Sequence, residues 1–236
     1  MRRFGTRYAG FFYPSELPNL DENSIIYCVG AGEDISHDID VANTCKGNVH
    51  IFDPTPRAIQ HVKLVKEVIQ GTKEPIANKR YGGGDPEYWN TILTNSANVK
   101  GIHLYEWGIH TKNESGVRFY LPSNPDYVSC SLLDGMKGKD YIEVVVKTLE
   151  DTMKELGHDH IDFLKLDIEG SECDVIEKML ESSLRPKYLS VDFDLGWTGE
   201  FKRDLPRCKE IIRNLMNSGY TLLEQHGPEW SFQYKD

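Results

Sequence analysis

The sequence predicts an α/β fold: a mainly parallel central sheet with helices on both faces and a C-terminal antiparallel hairpin. Three observations predict it. Short apolar runs alternate with longer amphipathic stretches, the pattern of strands joined by crossover helices. Several of those runs end on a glycine or a carboxylate, as in Val29-Gly30, Phe52-Asp53, Leu166-Asp167 and Val191-Asp192. The last two runs, 220–224 and 230–234, read as a hairpin that closes the sheet.

The elements follow in order. Residues 1–23, rich in aromatics, proline and asparagine, are expected to form an irregular lid or a short helix. The first core strand is 24–29, followed by a glycine-containing turn and a helix to about residue 43. A second strand, 48–52, closes on Asp53-Pro54, and a helix covers 56–69. Residues 71–90, with Gly82-Gly83-Gly84-Asp85-Pro86, read as a loop insertion; loops of this length in compact domains are usually functional. A third strand is 101–106, and 117–121 and 142–146 alternate as strands. A helix at 149–156 leads to a buried strand, 162–166, then a helix over 172–181. The strand 188–191 ends in Asp192-Phe193-Asp194, and a helix covers 204–217 with Gly219 just past its end. One domain over 1–236 accommodates all of this.

Composition narrows the function. Hydrophobic residues make up 39% and charged residues 27%, ordinary for a globular chain. No apolar run approaches the ~20 residues that cross a bilayer. Met1-Arg2-Arg3-Phe4-Gly5 has no apolar stretch behind it and does not read as a secretory signal. The net charge of −10, with no block of Lys or Arg, argues against a nucleic-acid partner and suits a small molecule or a neutral glycan. Five cysteines, an odd number with no Cys-x-x-Cys, suggest neither a zinc site nor a disulfide framework, so a reducing, cytoplasmic setting is expected.

Three motifs carry chemistry. In Val29-Gly30-Ala31-Gly32-Glu33-Asp34-Ile35 a strand runs through Gly-x-Gly into a helix, the Rossmann-like device that lets backbone approach a ligand at the carboxyl edge of a sheet. Ile35 stands where a dinucleotide fingerprint needs a third glycine, and Glu33 and Asp34 stand where a pyrophosphate would meet the helix. S-Adenosylmethionine carries a sulfonium and an ammonium but no phosphate, and an acidic turn is compatible with it. Gly30, Ala31, Gly32 and Asp34 are therefore candidate cofactor contacts. Asp53, ending the next strand, is placed to accept ribose hydroxyls, and Trp107 to stack on adenine. In Lys165-Leu166-Asp167-Ile168-Glu169-Gly170-Ser171-Glu172 an apolar strand delivers Asp167 and Glu169 to the same sheet edge.

Residues 163–172 resemble the signature of the FkbM-type methyltransferases. The similarity extends over most of the chain: Val146–Asp151, Ser129–Leu133, Arg185–Asp192 and Gly219-Tyr220 each resemble a family segment. Cys28, Gly32-Glu33-Asp34 and Asp53 depart from the residues usual there. The resemblance implies a class I methyltransferase fold and, since many members act on sugar hydroxyls, O-methylation of a sugar or glycan acceptor.

Such an acceptor hydroxyl needs a base or a metal to draw off its proton. Asp167, Glu169 and Asp192 are the catalytic candidates, with Asp194 beside them and Asp167 serving either the acceptor or the cofactor's ammonium. Paired carboxylates could also hold Mg²⁺ or Mn²⁺. His110 and His226 are alternative bases, His158-Asp159-His160 reads as a solvated turn, and Trp89, Trp197 and Trp230 are candidates to stack on sugar faces. Two other readings stay open: a nicotinamide-dependent oxidoreductase, and a binding module that keeps the fold without turnover.

Overall fold

The structure is a computed structural model and describes residues 1–76, 80–124, 126–132, 139–193 and 205–235. It begins with a hairpin, β1 (Arg2–Phe4) against β2 (Phe11–Tyr13). Phe4, Phe11 and Tyr13 point inward from it, so residues that read as a lid or helix instead pair as strands and bury three aromatics. The order then runs β3 (Ile26–Val29), α1 (Ser36–Cys45), β4 (Asn48–Phe52) and α2 (Pro56–Ile69). A tight turn at Tyr81–Gly84 leads into α3 (Tyr88–Asn95), a helix that the sequence reading left inside or beyond a loop. It buries Tyr88 and Ile92, one turn apart, in a helix of eight residues, too short for a clear periodic signal.

Next come β5 (Gly101–Tyr105), β6 (Gly108–Ile109), β7 (Glu114–Tyr120), β8 (Tyr141–Lys147), α4 (Leu149–Leu156), β9 (Phe163–Leu166), α5 (Glu172–Glu181) and β10 (Tyr188–Asp192). The chain ends with α6 (Leu205–Asn217), β11 (Tyr220–His226) and β12 (Glu229–Tyr234).

Seven strands form the central sheet in the order β11-β12-β10-β9-β3-β4-β5. From β10 across to β5 every pairing is parallel; β12 runs antiparallel to both its neighbours. The chain winds outward from β3 through β4 to β5, then returns to the other side of β3 to lay down β9 and β10. The order of winding therefore reverses between β3 and β9, and a crevice opens beyond their carboxyl ends, where open α/β sheets bind ligands.

The central strands β3, β9 and β10 are buried on both faces, and side-chain alternation builds two cores. Tyr27, Val29, Leu164, Leu166, Leu189 and Val191 face one, packed on α4, α5 and α6. Ile26, Cys28, Val49, Ile51, Phe163 and Tyr188 face the other, packed on α1, α2, α3 and the hairpin. Strands β6, β8 and β7 stand apart as a three-stranded sheet in that order. In β8 the buried Val144 and Val146 alternate with the exposed Glu143 and Val145, so one face is wet and the strand has no place in a doubly covered sheet. No helix among the described residues is long and apolar enough to cross a membrane.

Phe163 lies between β3 and β10, fully buried, against Tyr13, His37 and Tyr188. Phe163→Ala is expected to cost about 3–5 kcal/mol, the usual loss for a buried phenylalanine. Urea denaturation monitored by circular dichroism measures it, and a loss below about 1 kcal/mol would contradict this packing.

Candidate active site

The crevice is shaped first by a glycine. Gly30 follows β3 with φ +87°, and a Cβ built on it would stand 1.8 Å from the carbonyl oxygen of Asp167. No side chain fits there. The Gly30 N–H donates to the Phe52 carbonyl at 3.0 Å, and the Asp167 N–H to that of Val29 at 3.1 Å. The ends of β4, β3 and β9 are thus laced together at the point where a ligand would approach.

Asp53 anchors the same turn. One of its oxygens accepts from the Ala31 and Gly32 N–H groups at 2.9 and 3.3 Å. The other accepts from the N–H and hydroxyl of Thr55 at 2.8 and 2.7 Å. A carboxylate offers about four lone-pair sites, and protein donors occupy that many here. Its first task, which the sequence did not reveal, is to hold the glycine turn open. Asp34 is also engaged: it accepts from the Thr6 hydroxyl at 2.5 Å and the Ser36 N–H at 2.8 Å. Its carboxylate ties the N-terminal segment to the start of α1, while the residue itself lines the crevice.

The second wall is the acidic turn after β9. Glu169 adopts φ +56°, a left-handed conformation that costs a non-glycine residue of order 1–3 kcal/mol. Glu172, buried at the start of α5, holds it there. Its carboxylate accepts from the Ile168 N–H at 2.9 Å and, with both oxygens, from the Gly170 N–H at 3.1 and 3.0 Å. The Ser131 hydroxyl donates to the Glu169 carbonyl at 2.7 Å. Burial pushes the Glu172 carboxyl up to about 8 while these backbone N–H groups pull it back, and the hydrogen bonds it accepts leave the turn no other conformation. Asp192 ends β10 and lies directly opposite Glu229 of β12.

Between the walls lies a cavity of about 400 Å³, within the range of small-molecule sites. Gly30–Asp34, Asp53, Asp167, Glu169, Asp192 and Glu229 line it, with Phe52, Ile109 and Phe119 on an apolar side and Val128–Cys130 and Leu132 closing over it. Arg57 secures that closing segment, gripping Glu33 at 3.1 and 2.9 Å while donating to the Tyr127 carbonyl at 2.7 Å. Burial pushes the Asp167 carboxyl up to about 6, with Lys165 pulling it back and Glu169 adding to the rise. Asp192 is held well above the usual carboxylate range by burial and by the negative charges of Asp167, Glu172, Glu229 and Glu169. One of its oxygens, Oδ1, is buried without a hydrogen-bond partner.

The cavity thus gathers Gly30, Ala31, Gly32, Asp34, Asp53, Asp167, Glu169 and Asp192. Trp107 is absent from its lining, a correction to the expected adenine stack: the indole N–H donates to the Thr152 hydroxyl at 3.4 Å, and Lys147 Nζ sits 3.8 Å from the ring centroid. The next residues, Gly108 and Ile109, line the cavity instead. His110 is half-buried outside the cavity, and His226 is an exposed partner of Glu229 at 3.3 Å. Trp89 donates to the Ile76 carbonyl, and Trp230 is buried in the core, so neither offers a sugar platform. Trp197 and Asp194 lie outside the described residues.

Among the described residues, the set with three ligand-type atoms within 4.8 Å of one another is Cys28, His37 and Asp38, and the structure lends no support to Mg²⁺ or Mn²⁺ on the acidic turn. Glu229 and Lys165 escaped the sequence reading as site residues. Glu229 reaches the cavity only through antiparallel pairing, which no periodicity announces. Lys165 lay within the signature, where its position inside an apolar strand was the available signal.

The model of the FkbM methyltransferase domain matches residues 24–222. The chain belongs to that family. The match begins just before β3 and ends within β11, so it takes in both walls of the cavity and leaves out the N-terminal hairpin. Among solved structures, this FkbM-domain protein is similar to a Streptococcus mutans protein assigned as a methyltransferase, in complex with SAH: 12% identity over 90% of this chain and 88% of that one, TM-score 0.44. It is also similar to an rRNA methylase from Streptococcus thermophilus: 10% identity over 92% and 90%, TM-score 0.42. No curated protein matches it.

Gly30→Ala is expected to force the ends of β3 and β9 apart. The variant should melt several degrees below the parent, and ligand binding in the cavity should be lost; calorimetric melting and titration measure the two effects. A parent-like melting temperature would show that the turn relaxes without help from β9.

Proposed function

We propose that this methyltransferase moves a methyl group from S-adenosylmethionine to a hydroxyl of a sugar or glycan. The observation that carries the reading is the charge of the cavity: besides Glu33, Asp34 and Asp53, which are held by Arg57, by Thr6 and Ser36, and by the glycine turn, four carboxylates, Asp167, Glu169, Asp192 and Glu229, line it, and no Lys, Arg or His is among its described lining residues. A ligand with a sulfonium and an ammonium suits this wall. A nicotinamide dinucleotide would place its pyrophosphate among carboxylates with no cation to meet it, so the oxidoreductase reading loses support.

When bound, S-adenosylmethionine supplies the activated methyl group. The chain's own groups have three tasks. Gly30 and Gly32 bring bare backbone to the ligand, while Phe52, Ile109 and Phe119 offer the apolar surface once expected from Trp107. Asp167 and Glu169 give negative charge against the positive groups. Asp192, with its unpartnered oxygen, is the best-placed base for the acceptor's proton. A positive charge opposite it favours its ionised form, so the bound cofactor would favour the base form that the acceptor needs. The glycan acceptor rests on the family likeness, supported by the half-exposed Tyr8 at the rim of the cavity.

Incubation with methyl-labelled S-adenosylmethionine and a panel of sugars and oligosaccharides is expected to yield an O-methyl product by NMR; a methyl on nitrogen or carbon would refute the acceptor class. Asp192→Asn should lower the saturated rate roughly 10²–10⁴-fold while the cofactor still binds. Unchanged turnover in that variant would remove Asp192 from the chemistry.

The pH dependence has a definite sign. The Asp167 carboxyl titrates at about 6 in the free protein, and only its ionised form attracts the cofactor. Affinity should therefore fall as pH drops through that value. Titration calorimetry between pH 5 and 8 reads the curve (a range set by carboxyl titration), and a flat one would show that Asp167 does not face the positive groups.

A further inference from the structure

Below the cavity, on the face of β9 turned toward the hairpin, a lysine is buried to 1% exposure. Lys165 Nζ donates to the Gly30 carbonyl at 2.9 Å. It also stands 3.5 Å from Asp38 Oδ1 and 3.6 Å from Asp167 Oδ2. Taking an ammonium out of water costs several kcal/mol, so a lysine persists here only if opposite charge is fixed beside it. Asp38, fully buried in the first turn of α1, is that charge. Burial alone would raise its carboxyl, but Lys165 and the bond from His37 hold it below the usual range. The other groups around the ammonium are Cys28 of β3, Asp34 of the following turn and His37 of α1. Cys28, His37 and Asp38 by residue type would suit a metal ion, but the ammonium beside Asp38 already supplies the cation there.

The connectivity is informative. The Gly30 carbonyl belongs to the glycine turn after β3, and the Asp167 carboxylate to the acidic turn after β9. These are the two walls of the cavity, and Lys165 is within reach of both. We propose that Lys165 is the positioning residue of this site: its buried ammonium, neutralised by Asp38, ties the glycine turn to the acidic turn and keeps the Asp167 carboxylate aimed into the cavity. Lys165 touches no ligand on this account; it acts through Gly30 and Asp167. Only the binding arm of the test below rests on the S-adenosyl reading.

Two variants displace the charges in opposite senses. Lys165→Met keeps the length of the side chain and removes its charge. Asp38→Asn keeps the ammonium and removes its neutraliser. In the cofactor-free protein, the ¹³C signal of the Asp167 carboxyl, followed against pH, reports the coupling without any ligand. Lys165→Met should move the midpoint up by about 1–3 units, the usual effect of an adjacent opposite charge. Asp38→Asn should move it down, because a negative neighbour is lost and the ammonium stays. A residue that only fills space would move neither. If Lys165→Met does not fold, as judged by thermal melting, Asp38→Asn decides alone. Unmoved midpoints in the folded variants overturn the proposal.

Calorimetry with S-adenosylhomocysteine gives the second arm. Lys165→Met is expected to bind it about 10–100-fold more weakly, the loss that follows when a charged hydrogen bond is removed. Parent-like affinity would overturn the positioning role. A parent protein that binds no S-adenosylhomocysteine, while both titrations move as expected, would support the Lys165 tie and refute the S-adenosyl reading instead.

Discussion

The close approach of Gly30 to the Asp167 carbonyl is the constraint on which the rest of the site depends. Two parallel strands end side by side, and the chain leaving each must turn away without filling the space between. At Gly30 the turn is possible because there is no Cβ to meet the neighbouring backbone. Once the two ends are in contact, the peptide groups on either side are fixed, and with them the direction in which Asp167 points. The cavity is a consequence of this contact: strand order reverses here, so the helices that follow β3 and β9 leave on opposite faces and a gap opens between them.

Both walls are then locked by carboxylates that never meet a ligand as their first duty. Asp53 satisfies the N–H groups of the glycine turn, and Glu172 satisfies those of the acidic turn. The pairing has a common logic. A turn shaped to expose backbone to a ligand leaves N–H groups without strand partners, and a buried carboxylate supplies acceptors at low cost in volume. The strain at Glu169 persists because the residues around it leave it no alternative, which is how sparsely populated conformations survive in folded proteins.

Much of this was legible in the sequence because the informative residues sit at the ends of apolar runs. Val29-Gly30, Phe52-Asp53, Leu166-Asp167 and Val191-Asp192 each mark a strand and its carboxyl end together, and parallel packing brings such ends to one edge. What was illegible depended on direction or on pairing. Trp107 follows β5, but two residues of irregular backbone before β6 decide which way its ring turns, and no periodicity encodes that choice. Glu229 is far along the chain and becomes a neighbour of Asp192 only because β12 inserts antiparallel between β10 and β11. The strands 117–121 and 142–146 were recognisable, but their membership of a separate sheet is a tertiary fact. The N-terminal aromatics misled for a related reason: Phe4, Phe11 and Tyr13 read as an irregular cap until a hairpin gives them one inward face.

The electrostatic arrangement explains why so acidic a crevice is compatible with a stable fold. Four carboxylates around one cavity would repel one another if all were ionised, and burial makes that worse. The structure relieves this in two ways. Asp192 is pushed toward its neutral form, so the cluster carries less charge than its residue count suggests. Lys165, below the floor, stands 3.6 Å from Asp167 on the side away from the cavity and shares its charge between that carboxylate and Asp38. The remaining excess is negative and faces the open side. A cation entering such a cavity gains more than it would at a neutral wall. The same excess excludes anionic ligands of similar size. On the proposed reading, this wall of carboxylates as a whole, rather than one dedicated residue, would favour a positively charged, phosphate-free cofactor over an anionic one.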